Sequence, residues 1–108
     1  MKKVLVLCQG GQVRSVTVAG ILRYGYDDNK FDALAASLEK NSHETLNMLC
    51  MWADMIVVVE EKLMAKMPAE YLPKTRLFPI GPDVWRMSNH PDLIRRIYDL
   101  NLDDFINA

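Results

Sequence analysis

The sequence has few of the residues that cross-link small proteins or hold metal ions. It contains two cysteines, Cys8 and Cys50, and two histidines, and no pair among them has the spacing of a zinc site. Two cysteines are too few for a disulfide framework, so a reducing compartment is the simpler expectation. We therefore predict a cytoplasmic protein.

Long apolar runs and an excess of charge of one sign are also missing. No run approaches the roughly 20 apolar residues that span a bilayer, and the run after Lys2 and Lys3 is too short for a signal peptide. The formal net charge of −1 provides no broad basic field for nucleic acid. We expect one domain over residues 1–108 that is not exported and binds neither membranes nor nucleic acid.

The apolar residues alternate between the spacing of buried strands and the spacing of helices. Strands are predicted over residues 2–7, 33–36, 55–59 and 75–80, each followed by a helix. Asn41 and Glu44 resemble a capping box with Asn41 as N-cap, and Pro91 is typical of the first turn of the last helix. We predict a single-domain, three-layer α/β fold: a four-stranded parallel sheet of flavodoxin-like order 2-1-3-4 with helices on both faces.

The connection between the first strand and the first helix has the pattern Cys-x5-Arg-Ser. A loop that enters a helix N-terminus points several backbone N–H groups into one concavity, which suits an oxyanion such as phosphate. The residues expected to bind phosphate are Gln9, Gly10, Gly11, Gln12, Val13, Arg14 and Ser15.

The residue types in this loop suit nucleophilic attack on phosphorus. Cys8 stands at the base of the concavity and is expected to be the nucleophile. Glycines at 10 and 11 let the backbone approach the anion. Arg14 offers a planar fork to two phosphoryl oxygens. Ser15 can cap the helix or donate a hydrogen bond to the sulfur of Cys8.

A general acid is expected across the pocket, in the loop after the fourth strand. Asp83 is the main candidate, and Asp92 is its rival, although its place after Pro91 suits stabilisation of the helix dipole. Trp85 is expected either to form a wall for an aromatic ester or to pack within its own loop.

Two other segments are expected to be structural. Cys50 lies on the apolar stripe of the second helix and is expected to fill the core. The run Glu60-Glu61-Lys62 is expected to be a solvated helix start.

These motifs, in this order, resemble the low-molecular-weight protein tyrosine phosphatases, and more closely their compact prokaryotic-type members. The resemblance extends over most of the chain and also rests on Trp52-Ala53-Asp54, Pro82-Asp83 and Pro91-Asp92-Leu93. It implies a phosphatase with Cys8 as nucleophile, Arg14 as phosphate ligand, Ser15 as support for the thiolate and Asp83 as general acid. It implies no metal or organic cofactor. The implied partners are a phosphorylated protein or a small aryl phosphate, with inorganic phosphate or another oxyanion in the loop.

The chain also departs from the family pattern. Gly11 replaces the usual asparagine, Gln9 and Gln12 replace hydrophobic residues, and Val84 and Trp85 replace proline and tyrosine. Three alternatives remain open: a thiol-dependent arsenate reductase, a sugar-transport phosphocarrier, and a domain that binds phosphate or phosphoprotein with weak or no turnover.

Overall fold

The structure, a computed structural model, describes residues 1–10, 13–25, 30–81, 84–85, 87 and 89–107. Gly11, Gln12, Pro82 and Asp83 therefore lie outside the described residues. The strands are β1 (Lys2–Cys8), β2 (Phe31–Ser37), β3 (Met55–Val58) and β4 (Thr75–Leu77). The helices are α1 (Val13–Tyr24), α2 (His43–Trp52), α3 (Glu61–Met64), α4 (Pro91–Asp99) and α5 (Leu102–Asn107), with a 3₁₀ helix over Ala69–Lys74.

The four strands form a parallel sheet in the order β2-β1-β3-β4, which confirms the predicted order. Residues Val4 to Cys8 of β1 are all buried. Because successive side chains of a strand point to opposite faces, this burial requires cover on both faces of the sheet. The connections β1 to β2 and β2 to β3 run in opposite directions across the sheet, so right-handed crossovers place α1 and α2 on opposite faces. Helix α4 contacts α1 and shares its face.

The carboxyl end of β1 lies where the chain reverses its direction across the sheet. From β1 the chain moves to β2 on one side, and it then returns to β3 on the other. Ligands of parallel α/β sheets bind in the crevice at such a point. Cys8 ends β1 and Glu60 follows β3, so both lie at this edge.

The second helix begins differently from the prediction. Ser42 is its N-cap, and its Oγ accepts a hydrogen bond from the Thr45 amide at 3.1 Å. The capping box with Asn41 as N-cap is therefore wrong. Asn41 Oδ1 instead accepts a bond from the Ser37 amide at 2.8 Å, so its side chain closes the turn after β2.

Prolines limit the lengths of a helix and a strand in the second half of the chain. Helix α3 has a single turn, and Pro68 precedes the 3₁₀ helix that follows it. Strand β4 ends at Leu77, two residues before Pro79, as expected for a strand that proline shortens. The last predicted helix is α4, and a further short helix, α5, follows it after Asn101, whose φ of +59° turns the chain. No helix among the described residues has the length and apolar character that crossing a bilayer requires.

Candidate active site

Cys8 is held between β1 and the first turn of α1. It is the last residue of β1, and its side chain is 1% exposed. Its Sγ lies 3.0 Å from Oγ of Ser15, the third residue of α1, and either atom can be the donor. The serine is thus inside the helix rather than at its N-cap, and its hydroxyl is in position to donate to a thiolate.

The segment after β2 fixes the backbone that follows Cys8. The Leu38 amide donates to the Cys8 carbonyl at 3.0 Å, and the Glu39 amide donates to the Gln9 carbonyl at 2.9 Å. Ser37 Oγ donates to that same Gln9 carbonyl at 2.7 Å. Gln9 Nε2 also donates to the Glu39 carboxylate at 2.8 Å. These bonds join Cys8 and Gln9, at the start of the loop, to the segment after β2.

Arg14 reaches from α1 to the carboxyl ends of β3 and β4. Its side chain is 1% exposed, and Nη1 donates to Glu60 Oε1 at 2.7 Å and to the Gly81 carbonyl. Nε and Nη2 are buried and have no hydrogen-bond partner among the described residues. These two nitrogens form one edge of the guanidinium, the edge that can donate two parallel bonds to an oxyanion. A buried donor pair without a partner is costly, and this edge is available to donate to an oxyanion.

Glu60 is a residue of the candidate site that sequence analysis missed. The expectation of a solvated helix start is wrong for it, because its side chain is 15% exposed whereas that of Lys62 is 57% exposed. Burial by itself raises the pKa of Glu60, but hydrogen bonds and charges from Arg14 and Lys62 outweigh burial and lower that pKa overall. The sequence feature that could have identified Glu60 is its position shortly after β3, the strand that neighbours β1.

The loop after β4 is attached to α1 at both of its ends. Gly81 at the start of the loop accepts a bond from Arg14, and the Asn89 amide near its end donates to Thr17 Oγ1 at 3.0 Å. Asp83 lies outside the described residues, but it belongs to this loop. Its role as general acid stays a prediction.

Trp85 lies beside the N-terminus of α4. It is half-buried against the core, and its ring centroid is 5.9 Å from that of His90, the N-cap of α4. Its role as a wall for substrate stays a prediction. The rival acid Asp92 is an exposed residue in the first turn of α4, where a carboxylate stabilises the helix dipole.

Cys50 is buried in α2, away from the Cys8 loop. Burial raises the pKa of its thiol, Lys74 opposes this effect and Glu70 adds to it. The thiol therefore stays protonated at neutral pH, unlike a redox-active cysteine. No group of three or more metal-ligating side chains occurs in the part of the chain that the structure describes.

This sheet order, with helices on both faces, is consistent with the fold of the low-molecular-weight protein tyrosine phosphatases. No protein-family model matches the chain, and no curated protein matches it. Among solved structures, the chain is similar to one titled Vibrio vulnificus Wzb in complex with benzylphosphonate, and Wzb is a low-molecular-weight protein tyrosine phosphatase. The sequence identity is 24%, the TM-score is 0.60, and the match covers 92% of this chain and 90% of that chain. At this identity the likeness establishes the fold.

Proposed function

We propose that the protein is a phosphomonoester hydrolase of the protein-tyrosine-phosphatase type that acts through a cysteinyl-phosphate intermediate. The observation that carries this proposal is the buried, unpartnered Nε and Nη2 edge of Arg14, one residue from the serine that contacts Cys8. The benzylphosphonate bound to Wzb, an aryl phosphate analogue, supports a ligand of this class. We further infer one cytoplasmic domain that binds phosphorylated protein or small aryl phosphates and has no nucleic-acid partner.

The proposed first step transfers the phosphoryl group to sulfur. The Cys8 thiolate attacks phosphorus, the S–P bond forms, and the ester P–O bond breaks. Asp83 gives its proton to the departing oxygen. The free edge of Arg14 donates to two phosphoryl oxygens and stabilises the charge that they carry in the transition state.

The proposed second step releases phosphate. Water attacks the phosphorus of the cysteinyl phosphate and passes a proton to the Asp83 carboxylate, which restores the acid. The S–P bond breaks and sulfur leaves as a thiolate. The Ser15 hydroxyl, whose oxygen lies 3.0 Å from Sγ, stabilises that leaving group by a hydrogen bond.

The role of Asp83 predicts a dependence on the leaving group. Asp83→Asn is expected to lower kcat/KM for phenyl phosphate about 10²- to 10³-fold but for 4-nitrophenyl phosphate only about tenfold, because nitrophenolate needs little protonation. Steady-state assays with both esters measure the difference. Asp92→Asn is the matched control and should change neither value more than about twofold. Equal losses with the two esters, or a larger loss in Asp92→Asn, would assign the proton to another group.

The contact between Glu60 and Arg14 predicts a loss of phosphate affinity in Glu60→Gln. The neutral amide of glutamine binds Arg14 Nη1 more weakly than a carboxylate does, so the guanidinium group is free to rotate away from the phosphoryl oxygens. We expect kcat/KM to fall about tenfold and the inhibition constant for vanadate to rise by a similar factor. Glu61→Gln is the matched control, since its carboxylate is exposed and next in sequence. Equal effects of the two changes would contradict a positioning role for Glu60.

The same variant gives a pH test of the contact. Because folding lowers the pKa of Glu60, its contribution to stability is present above the ordinary carboxyl pKa of about 4.3 and disappears as pH falls through the lowered value. The difference in unfolding free energy between the parent protein and Glu60→Gln should therefore shrink on acidification. Urea unfolding at several pH values measures it, and a difference that grows toward acid would contradict the pairing.

A further inference from the structure

A cavity of about 500 Å³ lies on the α2 face of the sheet, near the carboxyl end of β1. Leu7 contributes to its lining, whereas the next residue, Cys8, turns its sulfur toward Ser15 of α1. Since successive strand residues point to opposite faces, β1 separates the cavity from the candidate active site. The cavity is lined by Leu7, Leu38, His43, Leu46, Asn47, Cys50, Lys66, Met67, Pro68 and Tyr71.

The short third helix explains why this face stays open. Helix α3 ends after one turn at Met64, and Pro68 cannot extend a helical hydrogen-bond ladder. The chain continues as a 3₁₀ helix in which the Tyr71 hydroxyl donates to Asn47 Oδ1. This bond joins the 3₁₀ helix to α2, the two elements that flank the cavity.

The lining combines an apolar interior with an exposed lysine. Leu7, Cys50 and Met67 are buried, whereas Lys66 and His43 are exposed. No carboxylate contributes to the lining, and Lys66 Nζ has no ion pair or hydrogen bond within the described ranges. Pockets of this volume with a few polar groups at fixed places bind small molecules.

We propose that this cavity binds a small amphipathic anion, with an apolar body between α2 and the 3₁₀ helix and a carboxylate at Lys66. The apolar lining favours a hydrocarbon chain or an aromatic ring, and the unpaired ammonium group favours a negative over a positive or neutral head. The proposal does not depend on phosphatase activity, because Cys8 and Arg14 take no part in the site.

Calorimetric titration tests the site directly. Decanoate is expected to bind the protein in a saturable way, because its chain can occupy the apolar lining between α2 and the 3₁₀ helix. Decyltrimethylammonium, with the same chain and the opposite charge, should bind at least about tenfold more weakly.

Three further variants keep the test decisive. Lys66→Glu changes an exposed residue and should weaken decanoate binding about tenfold in calorimetry, whereas Lys30→Glu, which changes an exposed lysine just before β2, should leave it unchanged. Leu46→Trp should fill the cavity and abolish binding. The proposal is overturned by a lack of saturable decanoate binding, by equal binding of the two amphiphiles, or by equal effects of the two lysine changes.

Discussion

Replacing Cys8 with serine is expected to lower the hydrolysis of 4-nitrophenyl phosphate by at least about 10⁴-fold. A serine hydroxyl at the same place stays protonated and is a much weaker nucleophile than a thiolate. The substitution is nearly isosteric, and the contact with Ser15 can be kept, so the fold should survive. The measurement is kcat for the ester together with thermal unfolding of both proteins.

The second cysteine supplies a matched control for this experiment. Cys50→Ala removes a thiol that lies in α2, away from the loop, and should leave hydrolysis within about twofold while it lowers the unfolding free energy by about 1 kcal/mol. Unchanged hydrolysis in Cys8→Ser would exclude a cysteinyl-phosphate mechanism. A large loss of hydrolysis in a folded Cys50→Ala protein would mean that Cys50, and not Cys8, is the nucleophile.

The same preparations separate the alternative functions. Vanadate or phosphate that binds tightly to the parent protein without any ester hydrolysis would select a binding domain. A stable phosphate on Cys8 that passes to an acceptor other than water would select a phosphocarrier. Consumption of thiol in the presence of arsenate would select a reductase, a reaction that the buried, protonated Cys50 does not favour.

The two central strands could be predicted because β1 and β3 each contain a short apolar run with no competing pattern. Residues Val4 to Leu7 and Ile56 to Val58 are fully buried, and a short run that is apolar at every position and rich in β-branched residues favours a strand covered on both faces. The position of the Cys8 loop at the carboxyl edge then followed from the parallel arrangement of the strands.

Contacts between residues distant in sequence could not be predicted from local patterns. Asn41 and Ser42 are both good N-cap residues. Ser42 is the N-cap in the structure, because the Asn41 side chain accepts a hydrogen bond from the Ser37 amide in the turn after β2. The pairing of Glu60 with Arg14 joins residues 46 positions apart. Predicting this pairing requires the knowledge that β3 lies beside β1. The local pattern of a Glu-Glu-Lys run instead indicates a solvated surface.

Arg14→Lys is expected to reduce kcat/KM for aryl phosphates about 10³-fold although the positive charge is kept. Arginine divides its donors between two tasks: Nη1 binds Glu60 and the Gly81 carbonyl, while Nε and Nη2 remain for the ligand. A lysine ammonium that keeps the ion pair with Glu60 has no rigid second edge, so it loses the bidentate contact with the phosphoryl oxygens. Steady-state kinetics and calorimetric titration with phosphate measure the two consequences.

The controls must show that the fall in kcat/KM comes from the loss of the bidentate guanidinium and not from a change in charge or folding. Arg95→Lys alters an exposed arginine in α4 and should leave kcat/KM within about twofold. Arg14→Lys combined with Glu60→Gln should lose little beyond Arg14→Lys alone, because Glu60 acts on phosphate only through the guanidinium that lysine has replaced. Additive losses in this double-mutant cycle would mean that Glu60 contributes to the reaction independently of Arg14, and an Arg14→Lys protein with near-normal kcat/KM would remove the basis for phosphate binding at this edge.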